Sequence, residues 1–287
     1  MRHRLDLRIG PVTFRIGSAW AEPLDVLRRL YGPYPAAEAV ADFTVRLEPE
    51  KPWRRLVRPS VAIRGDYTLP DAAPLPLAQG ILAAEMGMNL QMALGQKRFL
   101  LLHAGTVERE GRALLLTGHS GAGKSTLAAL LGEQGWRFLG DEFALLDPDN
   151  GLIYPFPRLI SLKNQSLALF DRAAPERLGP ILKGTPKGMI RHLRPPADAI
   201  ARMDEPARPA LILFPRFARE LGPETRPVGA AELFVRLTQA STNYVALAER
   251  GFSALSALVA NTPAAAIDYR SSEEAAEQVE TLWNALS

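Results

Sequence analysis

Apolar and polar residues alternate on both sides of Gly10 and Pro11 in "RLDLRIGPVTFRIGS" (residues 4–18), which predicts a β-hairpin. Two further runs, "DFTVRLEP" and "SVAIRGDYTL", read as short strands, so residues 1–70 read as β-rich and irregular. The basic stretch "WRRLVRP" (53–59) reads as a solvated strand edge. From 74 to 96, "PLPLAQGILAAEMGMNLQMALGQ" carries apolar residues at helical spacing among good helix formers. Its Met86, Met88 and Met92 read as core filler.

Two apolar strands follow, "RFLLLHAGTVER" and "RALLLTG", separated by the turn signal "EGR". The second feeds a glycine-rich loop, and "KSTLAALLGEQG" reads as a helix stopped at Gly135. "WRFLGDEFALLDPDNGLIYPF" predicts a strand, a second strand, a "PDNG" turn and a third strand. From 155 to 227 prolines are frequent and loops such as "KGTPKGMIRHLRPP" are basic, with "PALILFP" as one buried strand. Beyond Gly229 the pattern is helical in "AAELFVRL", "STNYVALAERGFSALSALVAN" and "SEEAAEQVETLWNAL", with a short strand "AAAIDYR" before the last. No repeat of solenoid period is present.

Composition narrows the class. The 287 residues are 47% hydrophobic and 23% charged, as in a folded globular chain with a sizeable core. The net charge is only +3, and no dense Lys/Arg run with interleaved aromatics occurs, so nucleic acid is not expected as a partner. There is no cysteine, which excludes disulfides, thiolate metal sites and a cysteine nucleophile. The first residues lack an apolar signal-like core and no apolar run reaches membrane-spanning length. A cytoplasmic chain with no membrane partner is the expectation.

The chemistry concentrates in "LLLTGHSGAGKSTLA". Gly118, Gly123, Lys124 and Ser125 satisfy G-x-x-x-x-G-K-[ST] at every defined position, between a predicted strand and a predicted helix. Glycines let several backbone N–H groups point inward, and a helix starting there adds its positive dipole end. Gly118, His119, Ser120, Gly121, Ala122, Gly123, Lys124, Ser125 and Thr126 are therefore expected to cradle nucleotide phosphates. Lys124 would reach the β- and γ-phosphates and Ser125 would offer its hydroxyl to Mg²⁺. A GTPase base-reading N-K-x-D and an ABC-type L-S-G-G-Q are both absent.

Asp141 and Glu142 stand at the end of a predicted strand expected to lie adjacent to the glycine-loop strand. Phosphoryl transfer to a hydroxyl needs a metal to neutralise the phosphates and a carboxylate near the attacking oxygen. Neighbours on a strand face opposite ways, so both carboxylates reach one site only if the strand ends or bulges there. One would hold metal and the other take the proton. His103 either orients a carboxylate or senses phosphate, or is a satisfied core histidine. Among the downstream basic residues Arg158, Lys163, Lys183, Lys187 and Arg191, Arg158 and Lys187 are preferred for charge neutralisation. "GTPKG" (184–188) has the composition of a mobile phosphate-covering loop.

Three stretches resemble the HPr kinase/phosphorylase family, and specifically its HprK-related kinase A group. "LLHAGTVEREGRALLLTGHSGAGKSTLAALL" sets His103 before the loop, "GWRFLGDEFALLD" places Asp141 and Glu142 where that family has an Asp-Asp pair, and "PFPRLISLKN" with "GTPKGMIRHLRPP" is similar to the related-kinase subgroup. The likeness covers residues 99–215. It implies a kinase-like domain over 98–287, and with the pattern before it the chain reads as α/β, a P-loop nucleotide-binding sheet flanked by helices, with a β-rich N-terminal part and connecting helix over 1–97. It also implies ATP and Mg²⁺ as cofactors, Ser125 and Asp141 as metal ligands, Glu142 as base, and His103, Lys124, Arg158 and Lys187 in the catalytic set. The acceptor so implied is a serine hydroxyl of a protein or peptide, beside a PqqD-like peptide-binding protein, in an assembly of copies such as the parent family forms. The parent E-x-R-G-L-G signature is missing, and so is any sign of the parent N-terminal domain. A small-molecule kinase and a non-catalytic nucleotide-binding regulator stay open as alternatives.

Overall fold

The computed structural model describes residues 2–38, 40–220 and 222–286. Among them the chain is mixed α/β, with four sheets and eight α-helices. It divides into two compact units, Met1–Gln96 with Ser161–Arg194, and Lys97–Ile160 with Pro195–Ser287. The sequence boundary at 97/98 left 161–194 in the second part. That segment groups instead with the first unit, where Arg29 donates to Leu178 O, Gln79 Nε2 to Lys183 O and Arg194 to Arg29 O.

The first unit begins with the expected hairpin, His3–Ile9 against Val12–Ser18, with Ile9 opposite Val12 across Gly10 and Pro11. Phe43–Pro49 adds in parallel to Val12–Ser18, and Ser60–Gly65 and Leu75–Pro76 complete a five-stranded sheet. The parallel step needs a crossover, and it is a helix, Ala21–Tyr31, which the β-rich reading of 1–70 missed. Its signal was present: Leu24, Leu27, Leu30 and Tyr31 lie on one buried stripe. "WRRLVRP" is not a strand edge; Pro52–Arg55 forms a 3₁₀ turn and the chain runs on as a loop. The predicted long helix is Gly80–Gly95, preceded by a 3₁₀ turn. Met88 and Met92 are fully buried, whereas Met86 is exposed. The proline-rich segment is more regular than its composition suggests, since Ile160–Lys163, Leu178–Thr185 and Gly188–Leu193 form a three-stranded sheet.

The second unit is built on a six-stranded sheet. In spatial order it runs Glu224–Pro227, Ala264–Tyr269, Arg208–Phe217, Arg112–Thr117, Ala104–Arg109 and Arg137–Gly140. The second, third and fourth are parallel neighbours. Arg137–Gly140 does not adjoin Arg112–Thr117 as expected: Ala104–Arg109 lies between and is antiparallel to both, so Arg137–Gly140 runs the same way as the parallel set. Alternate residues Ala113, Leu115, Ile212, Phe214 and Ala266 join one core with Leu233, Leu237, Leu255 and Leu258 of helices Ala230–Ala240 and Tyr244–Asn261. On the other face helix Lys124–Glu133 packs close, and a side chain at Gly105 would meet Ala128 Cβ at 3.0 Å. Burial on both faces is why these strands read as unbroken apolar runs.

"RFLLLHAGTVER" is two strands, not one. Leu100–Leu102 pairs with Ala144–Leu146 in a separate three-stranded sheet, Ala104–Arg109 joins the six-stranded one, and His103 sits at the break. Buried Asn243 fixes the first piece, accepting from Leu101 N and donating to Phe99 O. The last helix, Ser272–Asn284, is docked by aromatic and ionic contacts. Trp283 meets Trp136 edge to face at 4.7 Å, while Glu280 accepts a bidentate pair from Arg109 and a bond from Trp136 Nε1.

Glu108 and Arg137 form an ion pair at 2.5 Å, each only 3% exposed. Arg137 also donates to Arg202 O and Glu205 O, and Glu108 accepts from Gly111 N. Removing one partner leaves a buried charge with too few bonds, which costs about 3–5 kcal/mol. Arg137→Met is therefore expected to lower stability by that amount in urea unfolding. Arg250→Ala, which breaks an exposed pair with Asp149, is expected to change it by less than about 1 kcal/mol. Equal effects of the two substitutions would refute the assignment.

Candidate functional site

Four strands of the second unit run the same way, and the segments leaving their carboxyl ends meet at one end of its sheet. They are the glycine loop after Thr117, Asp141 and Glu142 after Gly140, Phe217, and Tyr269. In open α/β sheets, ligands bind in that position.

The loop is a strand-to-helix turn. Gly118, Gly121 and Gly123 all have positive φ, at 134°, 86° and 95°. Lys124 opens the helix and is buried, with its Nζ donating to Gly118 O at 2.8 Å and His119 O at 2.9 Å. The ammonium is thereby aimed back along the loop. Ser125 and Thr126 follow on the first helical turn, half-buried, while His119, Ser120 and Gly121 are exposed.

Tyr269 is a residue that sequence reasoning missed. Its hydroxyl donates to Ala122 O at 3.2 Å, and its ring packs against Phe217 at 5.8 Å. Burial pushes its phenol pKa upward, so it stays a donor. A Cβ at Gly123 would lie 2.2 Å from the Tyr269 hydroxyl oxygen, so glycine is required there by both φ and space. Nothing in the spacing of "AAAIDYR" announces this, since the contact joins residues almost 150 positions apart.

Asp141 and Glu142 follow the strand end, where the pairing with Ala104–Arg109 slips between Thr106 and Val107. Glu142 has φ 72°, a left-handed conformation that strains a non-glycine residue by about 1–3 kcal/mol. That turn lets successive carboxylates escape the alternation of a strand. Asp141 is buried, and the Glu142 side chain is 31% exposed, with Oε2 3.4 Å from His103 Nε2. His103 is 40% exposed, so it is not a satisfied core histidine. Its carbonyl accepts from Thr117 Oγ1 at 2.9 Å, which ties it to the residue before Gly118. The strand break at His103 and the strand end at Gly140 thus bring histidine and carboxylate together beside the loop.

Arg158 lies in the same unit and is 3% exposed. Its segment is anchored to the carboxylate strand, since Phe156 N donates to Leu139 O and Phe156 bridges Gly140. Lys163, Lys183, Lys187 and Arg191 belong to the first unit, not to the unit holding the glycine loop. "GTPKG" is the tight turn of a hairpin. Thr185 Oγ1 donates to Gly188 O, and Asn164 accepts from Met189 N and donates to Lys187 O. Arg191 Nε is bound to Gly179 O.

Oxygen donors at Ser125 and Asp141 suit a hard divalent cation that keeps several waters. Among the described residues no group of three or more His, Asp or Glu is placed to hold a metal. Compared with known proteins, the chain matches no family model and no curated relative. No helix among the described residues is long and apolar enough to cross a membrane.

Next to Tyr269, Asp268 is buried and bound by Arg216 and Arg226, with Arg216 the larger influence; the two hold its carboxyl below the usual range. Its stabilising contribution is complete above the unfolded value of about 3.9 and is lost as pH falls through the lower folded value. Asp268→Asn should remove that part of the acid dependence, measured as thermal midpoint between pH 6 and pH 2. An unchanged pH profile would refute it. Gly123→Ala should lower stability by about 2–3 kcal/mol. Adding Tyr269→Phe should restore about 1 kcal/mol by clearing the clash while leaving the φ strain. A double variant less stable than Gly123→Ala alone would overturn this account of the loop.

Proposed function

We propose that the chain transfers the γ-phosphoryl group of ATP to a serine hydroxyl of a protein or peptide, as a P-loop kinase similar to the HprK-related group. The observation that carries this reading is the juxtaposition in one unit of the 118–125 loop, with Lys124 turned along it, and the Glu142–His103 pair. A binding loop alone would need no carboxylates at the end of a second strand running the same way in that sheet.

In this reading the N–H groups of 119–125 and the start of helix Lys124–Glu133 hold the phosphates, and Lys124 exchanges its two carbonyls for phosphate oxygens. Ser125 and Asp141 would hold Mg²⁺, which would supply charge neutralisation at those oxygens. Glu142 takes the proton of the acceptor hydroxyl, and His103 sets the direction of its carboxylate. Arg158 offers a fixed positive charge near the strand end. ATP as donor implies a cytoplasmic setting. The acceptor is delivered by a partner, for which a PqqD-like peptide-binding protein is the proposed type, and copies of the chain assemble.

Purified protein incubated with γ-labelled ATP, Mg²⁺ and acceptor peptides tests this. Label is expected on serine. Glu142→Gln should lower kcat by about 10²–10⁴ while nucleotide binding persists, and Lys124→Ala should lose both. Label confined to ATP and inorganic phosphate with every acceptor would refute the kinase reading, and label in a metabolite fraction would redirect it to a small-molecule kinase.

A further inference from the structure

The first unit carries a second charged feature that phosphoryl transfer does not use. In its five-stranded sheet, Leu7, Ile9, Phe14, Ile16, Val45 and Leu47 are buried on the inner face. The register runs Arg4 opposite Gly17, Gly17 opposite Arg46, and Arg46 opposite Arg64. Residues paired across a sheet share a face, so the outer face holds a row of arginines with a gap at Gly17. Asp6 pairs with Arg4 and Arg15 and answers part of that charge.

At the end of this face a cavity of about 150 Å³ is lined by Arg2, Gly17, Arg46, Glu48 and Arg55, among others. Its lining carries three cations and one anion. Glu48 meets Arg46 at 3.5 Å, beyond good hydrogen-bond length. The Arg55 backbone is held by Trp20 Nε1, which donates to its carbonyl at 3.0 Å, and its guanidinium reaches Ala19 O at 3.5 Å. The volume equals about five waters. That is room for a carboxylate-bearing side chain entering from the open side. Guanidinium groups match oxyanions through paired N–H donors.

On either side of Arg55 the same segment exposes apolar surface. Trp53 is 59%, Leu56 85% and Val57 62% exposed, and Lys51 lies over the Trp53 ring at 5.4 Å. Aromatic residues and arginine together are the usual anchors of protein interfaces. We propose that this cavity receives an acidic side chain of a peptide segment whose neighbouring apolar residues pack on Trp53, Leu56 and Val57. The proposal stands apart from the kinase reading, because its test reads binding alone.

The test uses the full chain and a fluorescein-labelled peptide alternating Glu with Leu and Phe, followed by anisotropy. A peptide with Gln for Glu and inorganic phosphate serve as probes of charge alone and of free oxyanion. The Glu peptide is expected to bind at least about tenfold tighter than the Gln peptide, with affinity falling as salt rises. Arg46→Glu, at an exposed strand position, should weaken it at least about tenfold with an unchanged circular dichroism spectrum. Trp53→Ala should weaken the peptide about fivefold and leave phosphate competition unchanged. Equal binding of the Glu and Gln peptides, or of wild type and Arg46→Glu, would overturn the site. Phosphate binding as tightly as the Glu peptide would overturn the peptide as its occupant.

Discussion

A six-residue turn between a buried strand and a helix governs the second unit. Residues 118–123 can follow their path only with glycines at positive φ, and the path is held from two sides. Lys124 binds the carbonyls of Gly118 and His119 from within the loop, and Tyr269 binds the carbonyl of Ala122 from two strands away in the sheet. The strand order follows from this need. Arg208–Phe217 and Ala264–Tyr269 must run parallel to Arg112–Thr117 for Phe217 and Tyr269 to emerge beside the loop. The helix packs close because Gly105 has no side chain to hold it off.

Across the sheet from Tyr269, the antiparallel strand Ala104–Arg109 does a different task. Its first residue lies opposite Thr117, so the chain before it delivers His103 next to the loop. Its other edge holds Arg137–Gly140, whose end delivers Asp141 and Glu142. One short strand therefore relates a histidine, two carboxylates and the glycine loop. The buried Glu108–Arg137 pair locks that strand to its neighbour, so an expensive buried charge pair also sets the register on which the site depends.

The first unit works by division of its sheet faces. One face is apolar and covered by helices; the other carries arginines in register and opens into a small basic cavity. Its chain is discontinuous, because 161–194 leaves the second unit to add three strands there and then returns. Lys187 is accordingly at a hairpin tip of the first unit. Asn164 accepts and donates within that turn, so its proline and lysine sit at a tight hairpin bend.

Local rules were enough for much of the chain. The Gly10-Pro11 hairpin, the helix after Lys124, the turn at 148–151, the central apolar strands and the three closing helices follow from periodicity and turn residues over a few positions. The glycine loop was legible too, because the same residues that mark it make its backbone conformation possible. What sequence alone could not decide was long-range pairing. The split of the apolar run at His103, the crossover helix Ala21–Tyr31, the meeting of His103 with Glu142, the support of Ala122 by Tyr269 and the transfer of 161–194 to the first unit all depend on contacts between distant residues. Periodicity reports which face of an element is buried; only the packed sheet determines what that face meets, since register and strand order are set by the whole core at once.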